Sequence, residues 1–513
     1  MRPAAELKNF VRAARALLAR ERGLAEFEVY CASAEHRVAR LAYTSDIPCR
    51  GVEELKSHAA DGFTLRIVMC RDASEVGTAT EAGDLSLEAL RAALERARSA
   101  ALVDPDFPGL PETPRRFAHN PAGAVAGGLM RAGDDALVEA AWRIVGGALD
   151  AFSPPPAMRE RPPGLVLGGD VSIMRDRMAL ASSNFDDLRV EGGAHFTCMV
   201  TALIESVGAK GTASGLGATL SGMRVAAARA GRGAVTRALA LGGGERPPTG
   251  VYRVVFGPQP VAELLNYMVV PSLSTSAFHA ASTAYHGRFG AQVMDQRLNL
   301  WDDPRAARGA IRRRLTCEGL PARRTMLIRN GRLAGLLSNF YDGHRLAADE
   351  HRAEKLGPHC ADPVDFAPNS GYRLGESAVR RFDAHPGSAA TNIVMRARGG
   401  KSERELIRAV GEGIYVGRVW YTYPINGQRA GDFTCTVSGD SYLIRNGVLA
   451  APLAPNALRI NANLEQVFAH PIGVGNRAAP ALVWGAPEAY YVTALAAGQI
   501  PFAAIEASQS AME

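Results

Sequence analysis

The phrase Leu327-Ile328-Arg329-Asn330-Gly331-Arg332-Leu333-Ala334 recurs in this chain as Leu443-Ile444-Arg445-Asn446-Gly447-Val448-Leu449-Ala450. In both copies Asn-Gly lies between apolar residues. That dipeptide readily takes the two positive φ angles of a type I′ turn, so each copy predicts a β-hairpin. A repeated hairpin in a chain without short-period repeats points to a β-rich scaffold with a pseudo-symmetric plan.

The chain around the hairpins has 513 residues, enough for two to four domains whose cores need neither disulfide nor metal. A hydrophobic share of 47% and a charged share of 21% are ordinary globular values. The net charge is only +6, and the runs Arg312-Arg313-Arg314, Arg323-Arg324 and Arg380-Arg381 have no aromatic residues between them. They match no nucleic-acid-binding module, so no nucleic-acid partner is expected. Seven cysteines stand singly without a C-x-x-C pair, which fits reduced thiols and a cytoplasmic location. Leu7, Phe10, Val11, Ala14, Leu17 and Leu18 form an amphipathic helix without a signal-peptide core, and Glu6 and Glu21 argue against a transit peptide. No stretch approaches the roughly 20 apolar residues of a membrane span, so no membrane association is expected.

Phe27, Val29 and Cys31 alternate with Glu26, Glu28 and Tyr30 as in a half-buried strand, and Phe63, Leu65, Ile67 and Met69 mark another. Ser86 is placed to cap a helix whose apolar face would be Leu87, Leu90, Leu94, Ala97 and Ala101. Prolines 105, 108, 111 and 114 form one break, and residues 154–163 form a second, with a helix at 136–152 between them. Strands are expected from 165 to 207, with turns at Gly168-Gly169 and Gly192-Gly193. The glycine-rich segment 208–222 has neither the Gly-Lys-Ser/Thr of a phosphate loop nor a third spaced glycine, and is expected to be a flexible loop before a helix at 224–241. Gly242-Gly243-Gly244 and Pro247-Pro248 mark a boundary. The expected fold is α+β, with a mixed N-terminal domain over 1–245, a sub-break near 105–135, and a β-rich domain over 250–513. Helices are expected in the second domain only at 260–270 and 402–410.

Glu318-Gly319-Leu320-Pro321 leads into the first hairpin, Asp302-Asp303-Pro304 precedes it, and Gly413-Ile414-Tyr415-Val416 precedes the second. With Val254-Val255-Phe256-Gly257-Pro258, and with Glu28-Val29-Tyr30, Asp84-Leu85-Ser86 and Asp104-Pro105 upstream, this ordered set resembles the TldD/PmbA metallopeptidase-related family over most of the chain. The resemblance implies a helix shortly after Gly257-Pro258 that, in the TldD branch, carries H-E-x-x-x-H: two zinc-binding histidines and a glutamate base. Here the segment reads Asn266-Tyr267-Met268-Val269-Val270-Pro271. Asn266, Tyr267 and Pro271 stand where ligands and base would be, and none can do that work. The branch's cysteine ligand near the C-terminus is also missing, since the last cysteine is Cys435. Residues 263–270 read instead as a buried helix with Leu264, Leu265, Met268 and Val269 at core spacing.

What the resemblance implies is the PmbA, or TldE, branch: a non-catalytic subunit, inactive alone, in a heterodimer or higher assembly with a TldD-like catalytic partner that carries zinc and processes small or unfolded peptides. Two alternatives stay open. One is an autonomous enzyme using His344, His351, His359 and Cys360 as a metal site, although their spacing matches no ligand signature and a solvated loop is the preferred reading. The other is a peptide-binding scaffold without a catalytic partner. His279 and His286 would face the altered helix's pocket if the family geometry holds, against a simpler reading as surface or capping histidines. Asp302 and Asp303, as neighbours on a strand, point to opposite faces and are assigned a turn role before Pro304. No G-x-S-x-G elbow or nucleophilic cysteine signature is present.

Overall fold

The computed structural model describes residues 1–47, 50–69, 75–112, 127–152, 164–360, 366–375 and 379–506. Cys49, Cys70, Pro114 and the whole of the proline-rich break at 154–163 lie outside the described residues, as does much of the expected sub-break near 105–135.

The strand Leu24–Thr44 organises the first half of the chain. It lies in a seven-stranded antiparallel sheet between Lys56–Met69 and Leu165–Ser182, with Glu75–Ala82 and Leu102–Val103 beyond one edge and Arg189–Ile204 and Ala209–Gly217 beyond the other. One face is covered by helices. Phe27, Val29 and Cys31 pack with Leu7, Phe10, Leu90 and Leu94 of the helices Ala4–Leu18 and Leu87–Ser99. Ala39 and Leu41, further along, pack under Asp134–Ala151 and Leu220–Ala240. Ser86 accepts from the Ala89 backbone N–H and so starts its helix, but Leu87 is 37% exposed and stands outside the apolar face.

The other face is not solvated, which corrects the half-buried expectation. Glu28, Tyr30, Ala32 and Ala34 are all buried, because the second domain lies on them. The glycine readings also change. Gly168-Gly169 and Gly192-Gly193 sit inside paired strands rather than at turns, and residues 209–217 are a strand rather than a loop. A Cβ at Gly169 would come within 2.1 Å of the Met199 carbonyl oxygen, and one at Gly211 within 2.3 Å of the Ala234 carbonyl oxygen. Here glycine marks the close approach of backbones, not chain reversal.

The second domain is built on a thirteen-stranded mixed sheet around the long strand Ala489–Ala504. Both repeated phrases form hairpins: Asn330 and Gly331 have φ of 49° and 74°, and Asn446 and Gly447 have 52° and 73°, as a type I′ turn requires. They occupy opposite ends of the main run of paired strands, each forming the third and fourth strands from Ala489–Ala504. The layout is not strictly two-fold, since the central strand pairs in parallel with Asn392–Ala397 and antiparallel with Gly250–Phe256. Besides Pro258–Leu264 and Glu403–Val410, helices form at Thr275–His279, Phe340–Ala348, Arg352–Leu356 and Leu464–Phe468, more than the sequence signals indicate. The whole is α+β, as expected from the sequence.

The seam between the halves is ionic. Asp176 on the first sheet accepts from Arg313 at 2.6 and 2.8 Å and from the Arg380 side chain at 2.8 Å, and Arg380 also grips Glu191. Arg66 donates to Glu28 at 2.9 Å, with Arg373 at 3.8 Å. Burial pushes the Asp176 carboxyl up, but Arg313 and Arg380 outweigh it and hold it down to about 2. No helix among the described residues is long and apolar enough to cross a membrane.

Candidate functional site

Gly257 and Pro258 open the altered helix in the expected way: Pro258 supplies a preset φ where no intrahelical N–H bond is lost, and the Gly257 N–H is satisfied by the Val416 carbonyl at 2.9 Å. The helix Pro258–Leu264 widens into a π-helix over Leu265–Val269, with the Val270 N–H reaching the Leu265 carbonyl at 2.8 Å. Leu264, Leu265, Met268 and Val269 are at most 1% exposed. Each contributes roughly 1.5–3 kcal/mol of burial. Gln428 secures the widened end by donating to the Met268 carbonyl at 2.6 Å and Ser272 Oγ at 3.1 Å.

The residues at the expected zinc positions are otherwise engaged. Asn266 accepts at Oδ1 from the Tyr490 hydroxyl at 3.0 Å, Tyr267 is 38% exposed, and Pro271, itself exposed, starts a 3-10 turn whose other residues are buried. Cys435 is buried, and burial raises its thiol far out of the range in which thiolate forms. This donor set does not fit a zinc ion.

Polar groups gather around that helix. Glu263 is buried on it, receives Gln259 Nε2 at 2.8 Å, and is pushed up to about 7 by burial that Arg418 only partly offsets. Tyr490 lies against Glu488, whose carboxyl burial and the neighbouring Asp302 raise to about 8. Asp302 is fully buried and accepts at Oδ1 from the Thr391 N–H and hydroxyl, both at 2.8 Å, and from the Asn392 N–H at 2.9 Å. Its Oδ2, like Glu488 Oε2, is buried without a hydrogen-bond partner among the described residues, and burial raises its carboxyl to about 7. Burial and the proximity of the two acids both favour their protonated forms.

Glu488 also reaches the wall of a cavity of about 510 Å³ between the domains. Its floor is the first sheet, at His36, Arg40, Ser172 and His195, and its roof is the loop 482–486 with Trp484. The chain Asn266–Tyr490–Glu488 therefore connects the altered helix to this cavity.

The other expected residues lie elsewhere. His279 ends the helix Thr275–His279 and faces Asp349 at 3.3 Å; neither it nor half-buried His286 lines the cavity. The stretch expected as a solvated loop is largely helical: His344 is exposed on Phe340–Ala348, His351 precedes Arg352–Leu356, His359 is exposed, and Cys360 packs against the core. The four are not brought together, and among the described residues no group of three His, Cys, Asp or Glu side chains could hold a metal. Asp302 and Asp303 do point apart. Asp303 takes the turn role, accepting from the Arg305 N–H at 3.0 Å, whereas Asp302 belongs to the buried acid group. Glu488, Tyr490 and Glu263 carried no sequence signal of their own.

The PmbA/TldA metallopeptidase C-terminal domain model matches residues 249–499. No curated protein sequence matches the chain. Among solved structures, TldE from Thermococcus kodakarensis is 17% identical with a TM-score of 0.73, covering 98% of this chain and 100% of that one. A protein described as a candidate modulator of a DNA gyrase from Thermotoga maritima is 17% identical at 0.70, covering 96% and 99%. Another so described, from Bacteroides thetaiotaomicron, is 17% identical at 0.69, covering 97% and 99%. Residues 249–499 thus carry the C-terminal domain of the PmbA/TldA metallopeptidase family, and the chain over nearly its whole length has the fold of TldE.

Proposed function

We propose that this chain is a non-catalytic, TldE/PmbA-like subunit of a TldD-type zinc metallopeptidase, assembled with a TldD-like chain that holds the zinc and cleaves small or unfolded peptides. The observation that carries this reading is Asn266: the helix keeps its place, but its side chain is tied to Tyr490 and its neighbours offer no ligand or base. A further support lies beside the helix. The strand Arg418–Pro424 pairs on one side with Asp432–Gly439 and presents Trp420, Tyr421 and Tyr423 at 37%, 57% and 49% exposure. An open strand edge with aromatic residues suits an extended peptide or a partner subunit.

The test is co-expression with a homologue bearing H-E-x-x-x-H. The two chains are expected to co-purify, with zinc on the partner and unfolded peptide cleaved only by the mixture. Cleavage by this chain alone, or a partner that neither binds it nor needs it, would overturn the reading.

A further inference from the structure

Along Leu24–Thr44 the side chains facing the second domain change character. Tyr30, Ala32 and Ala34 are sealed beneath it, whereas His36, Val38 and Arg40 open onto the cavity. Neighbouring strands continue the floor in register: Met174 and His195 beside His36, Ser172 and Thr197 beside Val38, and Asp170 beside Arg40. Arg40 is thus met by a carboxylate of its own, and the rest of the floor offers hydroxyls and imidazoles.

On the opposite wall the charges do not balance. Among the described residues the side chains acting on Glu488 are Asp302 and Tyr490, neither of them a cation, and Glu488 Oε2 has no hydrogen-bond partner. A carboxyl so placed holds a proton or takes a cation from outside. The cavity's volume lies in the range of small-ligand sites, far more than a bare ion requires. Trp484, 59% exposed, stands over it on the loop that turns at Gly485, φ 74°.

We infer that the cavity binds the free amino terminus of a short peptide, with Glu488 as counterion to the ammonium group. Ser172 and Thr197 can bond the peptide backbone that follows, and the Trp484 indole can lie on the first side chain. A lysine side chain offers the same ammonium on a longer apolar stem, but it brings no backbone next to the charge for Ser172 and Thr197 to bond. The inference rests on the peptide-handling role proposed above and adds to it that the subunit grips its peptide by one end.

Calorimetric titration of the full chain without any partner tests it, using trialanine, N-acetyl-trialanine and Nα-acetyl-lysine amide. Trialanine is expected to bind at least tenfold more tightly than either other ligand. Glu488→Gln, which matches the protonated acid in shape, is expected to erase that preference while leaving the melting temperature at pH 6 within a few degrees. Trp484→Ala, at an exposed position, is expected to weaken trialanine several-fold. Equal binding of the acetylated peptide, a preference that survives Glu488→Gln, or no binding of trialanine would overturn the inference. Tightest binding of the lysine amide would reject the amino terminus in favour of a side-chain ammonium. Because no partner is present, failure here leaves the subunit assignment standing, and failure to co-purify a catalytic chain leaves this result standing.

Discussion

At the seam, Asp176 and Glu191 are buried against Arg313 and Arg380, whereas beside the altered helix Asp302 and Glu488 are buried against each other. The first arrangement keeps charge inside the protein by supplying a counter-charge for it; the second removes the charge by holding the proton. Glu263 stands between the two, with Arg418 acting on it yet too weakly to keep it ionised at neutral pH. Glu318 is a local exception on the seam: it accepts from the Phe340 N–H at 3.1 Å and burial lifts it to about 7 despite Arg66. A fully compensated network reads as architecture. Perturbed acids at a cavity wall read as a site, because their state changes when something charged arrives.

The sharpest way to break this contrast is Arg380→Met, which removes the guanidinium that joins Asp176 and Glu191, two acids on adjacent strands of the first sheet. It is expected to cost about 3–5 kcal/mol in denaturant unfolding. A loss under 1 kcal/mol would mean the seam is not held by its charges.

Next in size is the pH dependence. Asp302, Glu263 and Glu318 are raised to about 7 and Glu488 to about 8, so each favours the folded state while protonated. Their contribution is complete below the ordinary carboxyl range near pH 4 and is lost as pH rises through 7 to 8. Asp176, held at about 2, does the reverse: its contribution is complete above about pH 4 and is lost as pH falls toward 2. Stability is therefore expected to drop by at least about 2 kcal/mol between pH 5 and pH 8.5, since even one group raised this far contributes about 1.4 kcal/mol per pKa unit. Asp302→Asn with Glu488→Gln should remove about half of this alkaline limb, leaving the part that Glu263 and Glu318 contribute, and leave the acid limb unchanged. Unfolding curves that coincide at the two pH values would rule out the proton-holding account.

The smallest effect is at Asn266. Asn266→Ala removes one acceptor of the Tyr490 hydroxyl, which keeps Glu488 as a neighbour, and is expected to cost roughly 0.5–1.5 kcal/mol, the usual net worth of one hydrogen bond. If stability is unchanged, the amide is not a structural replacement for the lost ligand set.

How far the sequence could be read follows the physics of each signal. The hairpins were legible because Asn-Gly answers to a local φ requirement, and the first helix because one stripe of apolar residues faces one core. The pairs Gly168-Gly169 and Gly192-Gly193 misled because glycine serves two ends: it reverses chains, and it lets backbones approach, and only the fold tells which. Glu28 and Tyr30 looked like a solvent face because alternation cannot reveal that a second domain covers it. The absence of the zinc motif was plain in the sequence. Its replacement was not, since Asp302, Asn266 and Glu488 are far apart in the chain and meet only through packing around Tyr490.

The strand Leu24–Thr44 carries one last consequence, a mechanical one. At about 3.3 Å per residue its 21 residues extend to about 70 Å, and this one beam lines the helix-covered core, the ionic seam and the cavity floor. Paired along most of its length on both sides, it cannot flex at the cavity without straining the seam. Whatever differs in access to the cavity must therefore come from its ceiling, the loop 482–488 that turns at Gly485 and carries Trp484, and not from the foundation.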